Sequence, residues 1–183
     1  MDILQLHAIE NQEDKRALKK DGALQLLIEA QKAGKTHFLG ITGHYDPEIL
    51  NEFIDEYDFD TVLLPINPTV KEFEVSTIKK ARKHGMGIIG MKIMARAILA
   101  LAINPQALLN YSTEVADTSI VGCSNESDLE KNVLTARYPY PSEGKILIPN
   151  DIYEKARFFM KDTIKQKWPS TYQPDFPNIQ YDS

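Results

Sequence analysis

The sequence predicts an α/β fold built on a parallel sheet, and two observations carry that expectation. Short apolar runs of β type alternate with segments of helical periodicity from Asp2 to about Arg137. The runs are apolar through their length, as strands are when a parallel sheet is covered on both faces.

The first strand is Asp2–Leu6, which stops at His7. Leu24, Leu27, Ile28 and Gln31 follow with helical spacing, and Gly34 marks the helix stop. The second strand is His37–Thr42, ended by Gly43. Asp46 and Pro47 are an N-cap and a first helical residue, before a stripe of Ile49, Leu50, Phe53 and Ile54. Thr61–Leu64 is the third strand, halted by Pro65 and Pro68. A helix around Val75, Ile78 and Ala81 ends in Lys83, His84 and Gly85, cations and then glycine, as the helix dipole favours. Gly87–Met91 is the fourth strand, and Asn104-Pro105 opens a short helix over Leu108 and Leu109. Thr118–Val121 is the fifth strand, broken by Gly122. Ser124 or Asn125 then caps a helix carrying Leu129, Val133 and Ala136. These βα units recur about every 25–35 residues, close to the spacing of a (β/α)₈ barrel of about 250 residues.

Residues 1–138 thus form the α/β unit. A connection marked by Pro139, Pro141 and Gly144 opens the stretch 139–168, in which Ile152, Ala156, Phe159, Met160 and Ile164 make an amphipathic helix that stops before Trp168-Pro169. Its polar face mixes Glu154 and Asp162 with Lys155, Lys161 and Lys165, which favours packing on its own domain over a membrane. Residues 169–183 show turn-type breaks and no period, and form an irregular tail.

Composition narrows the function. The chain has 183 residues, 43% hydrophobic and 26% charged, as a soluble globular protein has. Its 21 Lys+Arg against 26 Asp+Glu leave a net charge of −5, a poor surface for phosphate backbones, so no nucleic acid is expected as partner. The lone Cys123 excludes an internal disulfide and a cysteine-rich metal cluster. No apolar run reaches the roughly 20 residues that cross a bilayer, and acids stand near the start where a signal peptide carries bases. The expected setting is cytoplasmic.

In parallel α/β folds the carboxyl ends of the strands hold the site. Here those positions are His7; Thr42, Gly43 and His44; Asn67; Met91 and Lys92; and Gly122, Cys123 and Ser124. The last group leads into a helix N-terminus, whose free N–H groups and dipole suit a phosphate. His7 either presents a ring nitrogen to a carbonyl or alcohol oxygen or bonds a neighbouring backbone carbonyl. His7 and His44 lack the further ligands of a mouth-bound metal, so no metal is expected. His37 and His84 are structural or solvated, and Cys123 is a small packed residue rather than a reactive thiol. A Ser/His/Asp spacing, a nucleophile elbow and a Walker loop are all missing.

Taken together, the segments DILQLHAI, GALQLLIEAQKAGKTHFLGITGH, FDTVLLPINP, GMGIIGMKIMARA and TSIVGCSNESDLEKNV resemble successive blocks of the aldo-keto reductases. The likeness is greatest to the bacterial branch whose second block reads Gly-Ile-Thr-Gly-His. It implies a partial (β/α)₈ TIM barrel of five parallel βα units, the family's fourth to eighth, plus the C-terminal amphipathic helix. It also implies reduction of a small-molecule aldehyde or ketone with NADP or NAD. In the family a tyrosine tuned by a lysine and an aspartate protonates the carbonyl oxygen, while a histidine orients the substrate. Only that histidine has a match here, His7, so the resemblance implies a chain inactive by itself. Tyr45 and Lys92 stand on other units and do not match the missing pair.

On the cofactor side, Thr42 matches the hydroxyl residue that bonds the nicotinamide carboxamide. Gly43 stands for a frequent Asn, Leu63 for a common Gln, and Met91 for a stacking aromatic. Lys92 and Arg96 fall near the pyrophosphate. Gly122, Cys123 and Ser124 match the phosphate loop, and Asn132 matches an adenine-contacting Asn. Asp128 falls where NADP-specific members often carry Arg, which implies weak binding with neither NADP nor NAD clearly preferred. The alternative is a non-catalytic nucleotide-binding or interaction module, or one half of a split barrel. Five strands of a barrel leave two edges, Asp2–Leu6 and Thr118–Val121, so self-association or a complementary chain is expected.

Overall fold

The computed structural model describes residues 1–20, 22–139 and 146–161. Five strands form one parallel sheet in sequence order: β1 (Ile3–Leu6), β2 (Phe38–Thr42), β3 (Thr61–Pro65), β4 (Gly87–Met91) and β5 (Thr118–Ser119). Between them lie α1 (Gln12–Lys20), α2 (Ala23–Lys32) and α3 (Pro47–Glu56). A longer helical stretch follows β3, made of α4 (Lys71–Phe73), a π-turn at Glu74–Ile78 and α5 (Lys79–Lys83). A 3₁₀ turn at Leu99–Leu101 precedes α6 (Pro105–Val115), α7 (Glu126–Arg137) and α8 (Asn150–Lys161).

The caps fall where the sequence places them. Asp46 accepts from the Glu48 N–H ahead of Pro47, Asn104 from Gln106 ahead of Pro105, and Asn125 from Asp128. Gly34 and Gly85 end their helices in the left-handed region, at φ 69 and 72.

The register sorts the sheet into two faces. Leu6, Leu39, Ile41, Val62, Leu64 and Ile88 share one and are buried beneath the helices. Gln5, Gly40 and Thr61 are register partners on the other, as are Thr42, Leu63 and Ile89. From that second face Ile3 and Phe38 stand exposed. That face is exposed at its Ile3–Phe38 end and buried at Gly40, Thr42, Pro65 and Met91, so the expectation of strands buried on both faces holds at the carboxyl end of the sheet and not at the other. Gly40 is required there: a Cβ would meet Thr61 Oγ1 at 2.3 Å and Gln5 Cγ at 2.9 Å.

Four other expectations are corrected. β5 ends at Ser119 rather than Val121. Val75 is exposed, because the π-turn rotates the helix that its spacing assigned to the core. On α7 the apolar Leu129, Val133 and Ala136 face outward, and the buried residues are Asn132 and Thr135. α1, which has no apolar stripe, was not foreseen. It turns Lys15 inward to meet Glu52 and Glu56 of α3, each at 2.6 Å, and Lys19 pairs with Glu56 as well. Burial alone would lower the Lys15 pKa, but hydrogen bonds to the two carboxylates outweigh it and raise it.

α8 seats Ala156 and Met160 in the core with Ile152 half-buried, while Phe159 stays exposed. Arg157 Nη1 ties it to the Thr69 carbonyl at 3.4 Å. The predicted continuation to Ile164 with Asp162 and Lys165, the Trp168-Pro169 stop, Pro141, Gly144 and the 169–183 tail lie outside the described residues. Among the described residues no helix is long and apolar enough to cross a membrane.

Candidate functional site

At the carboxyl end of β2, Thr42 is 1% exposed and its hydroxyl is committed. Oγ1 accepts the Ala8 N–H at 2.7 Å and lies 3.1 Å from His7 Nδ1. The oxygen accepts from Ala8 and keeps both its own proton and a second lone pair, so it can pair with His7 Nδ1 in either tautomer of the ring. His7 therefore takes a hydroxyl partner rather than a backbone carbonyl, and its side chain is exposed at the sheet edge.

The chain then turns through Ala8 at φ 58, which brings Glu10 back over β2. Glu10 accepts from His44 twice, at Oε2 from the main-chain N–H (3.0 Å) and at Oε1 from Nδ1 (2.5 Å). The His44 ring meets His7 edge-on with centroids 5.7 Å apart, and Tyr45 lies beside it at 5.5 Å. Glu10 carries no signature in the sequence, because nothing in a separation of 34 residues marks the two as partners.

Asn67 is structural. Fully buried, it donates to the Lys92 carbonyl at 2.9 Å and accepts from Thr69 N–H (3.0 Å) and Oγ1 (2.6 Å), fixing the loop after β4. That loop holds Lys92, Ala95, Arg96 and Ala97 at positive φ between 45 and 68, a costly arrangement for residues with a Cβ. It presents two cations. Burial lowers the pKa of the half-buried Lys92, and Arg96 lowers it further. Among the described residues neither cation has a carboxylate partner; Arg96 Nη2 reaches only the Tyr45 hydroxyl, at 3.5 Å. Met91, the last residue of β4, is buried and in register with Pro65.

Beyond β5, Gly122, Cys123 and Ser124 are exposed. The exposed Cys123 corrects its expected packing. Its sulfur takes the Asn132 Nδ2–H at 3.3 Å, so Asn132 is engaged inside the loop. Asn125 Oδ1 accepts the Asp128 N–H at 2.9 Å, and Asp128 Oδ2 accepts the Ser124 N–H at 3.2 Å. Asp128 thus takes the N-cap's bond on its own N–H and ties the residue before the cap, Ser124, with its carboxylate. The structure joins His7, Thr42, His44, Tyr45 and Arg96 in one chain of contacts. The Gly122–Ser124 loop lies apart from them, beyond the opposite edge strand.

No model of a protein family matches the sequence, and no curated protein matches it. Solved structures do match. An aldo-keto reductase from Bacillus halodurans in its holo form gives a TM-score of 0.55 at 15% identity, over 88% of this chain and 61% of that one. A protein from Pseudomonas aeruginosa assigned to the aldo-keto reductases gives 0.58 at 21% identity, over 74% and 51%. One assigned as a 2,5-diketo-D-gluconic acid reductase B gives 0.57 at 16% identity, over 96% and 62%. The fold is that of an aldo-keto reductase, in part. The chain spans between 51% and 62% of the length of these structures.

On an aldo-keto reductase-type fold the helix-free face with Gly40, Thr42 and Leu63 corresponds to the barrel interior, and the strand ends to its mouth. The residues present fit a dinucleotide unevenly. Lys92 and Arg96 suit its phosphates, whereas the Ser124 N–H is already held by Asp128 and the hydroxyl of Thr42 is committed to Ala8 and His7.

Proposed function

We propose that this chain carries the cofactor side of a nicotinamide-dependent carbonyl reductase site, using NADP or NAD, and that by itself it turns over at most a trace. The observation that supports this best is the Thr42–His7 pair at the ends of adjacent strands of an aldo-keto reductase-type fold. It engages Nδ1 and leaves His7 Nε2 to face a carbonyl oxygen. When bound, the cofactor supplies hydride. The chain's own part is to neutralise phosphates with Lys92 and Arg96, to offer the Gly122–Ser124 loop, and to orient the substrate through His7. The proton-donor tyrosine, lysine and aspartate of the resembled family have no counterpart among these 183 residues. General acid catalysis supplies about 10²–10⁴-fold, so turnover without them is small. Among the described residues β1 and β5 are outer strands with no further strand paired to them, which makes self-association or a complementary chain the expected partner.

A second reading, a nucleotide-binding or interaction module without catalysis, draws on the contacts that already occupy Thr42, Asn132 and Ser124. Fluorescence titration with NADPH and NADH tests the first. Weak saturable binding by both, reduced in Arg96→Ala, is expected. Absence of binding by either cofactor overturns the proposal.

A further inference from the structure

We propose that His44, held by Glu10, carries the proton that the substrate oxygen takes up in the residual turnover of this chain, in place of the absent tyrosine; the inference rests on the carbonyl-reduction reading above. Glu10 grips one residue at two points, the main-chain N–H and Nδ1 of His44, and the two side chains are only 14% and 12% exposed. A ring held this way cannot flip, and its Nδ1 proton is committed to the carboxylate. Nε2 of His44 has no partner among the described residues. The same holds on the neighbouring strand, where His7 has Nδ1 engaged by the Thr42 hydroxyl and Nε2 left over. The two rings meet edge-on at 5.7 Å. Two adjacent imidazoles, each engaged through Nδ1 and each with Nε2 left over, supply the two groups the step needs, one to hold the oxygen and one to protonate it.

The step balances. With His44 as imidazolium, its Nε2–H bond breaks and an O–H bond forms on the carbonyl oxygen as the carbonyl carbon takes hydride from the reduced nicotinamide. His44 is left neutral with Nδ1–H retained, Glu10 stays a carboxylate, and water restores the proton. In the reverse direction neutral Nε2 accepts the alcohol proton. Glu10 is a positioning residue: it selects which nitrogen is free.

The test uses the whole chain and two readouts. Long-range ¹H–¹⁵N correlation spectra above the imidazole titration range are expected to show His44 in the Nδ1–H form, and Glu10→Gln to yield a mixture of tautomers. Separately, 4-nitrobenzaldehyde is incubated with NADPH deuterated at C4 and the deuterated alcohol is counted by mass spectrometry. His44→Gln is expected to lower it at least tenfold, and Tyr45→Phe less than twofold. A His44 found as Nε2–H in the unsubstituted chain overturns the proposal. So does equal product from His44→Gln, while the reductase reading survives. No deuterated alcohol from the unsubstituted chain, with cofactor still bound, also overturns the role of His44. Failure of both cofactors to bind is the separate result that removes the reductase reading itself.

Discussion

Replacing Asp128 by alanine is expected to tighten binding of NADPH and NADH alike, by about 5–30-fold. The Asp128 carboxylate sits on the Ser124 N–H at 3.2 Å, inside the loop proposed for the cofactor phosphates. A unit charge about 5 Å from a phosphate opposes it by about 0.8 kcal/mol at the dielectric of water. Release of the Ser124 N–H adds about 0.5–1 kcal/mol once a phosphate oxygen replaces the carboxylate. The sum, about 1–2 kcal/mol, corresponds to the stated factor. The same substitution removes the bond to the Ser124 N–H ahead of α7 and an acid from its first turn, at a cost of about 0.5–1 kcal/mol in stability. For a chain of this size that lowers Tm by about 1–4 °C. Fluorescence titration at low ionic strength, where the Debye length exceeds the separation, reads the affinity, and calorimetry reads the Tm. Unchanged affinity for both cofactors would refute the placement of the phosphates in this loop. A gain confined to NADPH would move Asp128 to the 2′-phosphate. Strong NADPH selectivity that survives the substitution would refute any part for Asp128 in cofactor choice.

Gly40→Ala is expected to destabilise the fold by about 1–3 kcal/mol in urea unfolding, because the new methyl meets the β-branched Thr61 at 2.3 Å; an unchanged midpoint contradicts this. Hydrogen bonds from Lys15, with help from Gln12 and Lys19, hold the Glu52 and Glu56 pKa values below the ordinary 4.5. Groups with depressed folded values stabilise at neutral pH and lose that contribution as pH falls below 4.5 through the lowered values. Lys15→Met should therefore flatten the acid side of the stability profile, and an identical acid limb would exclude this cluster as its source. Light scattering is expected to report a mass above the 20.8 kDa of one chain, reduced towards it by Ile3→Lys on the open edge. A folded, cooperatively melting monomer at high concentration removes the edge argument.

The strands and caps were legible because their causes are local. Asp46-Pro47 and Asn104-Pro105 write a helix start within two residues, and each apolar run names its strand to within a residue or two. α1 was illegible for the opposite reason. Its inward residue is Lys15, whose burial is explained only by Glu52 and Glu56, 37 and 41 positions away. The outward turn of Leu129 and Val133 on α7 depends on which face meets α6, a tertiary fact that periodicity does not encode. At the candidate site, strand ends pointed to His7, Thr42 and His44, whereas Glu10 lies in a loop and becomes a partner only after Ala8 turns the chain.

The agreement of strand order with chain order has a consequence for synthesis. Every strand pairs with the one made just before it, so no unit has to wait for a distant partner to emerge. On the ribosome, where N-terminal segments become available first, β1 and α2 can offer a template to β2, which then serves β3, and so on by accretion. Loop closures in such a scheme span only one unit, which keeps contact order low and folding fast for a parallel sheet. A ribosome-stalled chain ending after any βα unit should already resist protease up to its last completed strand.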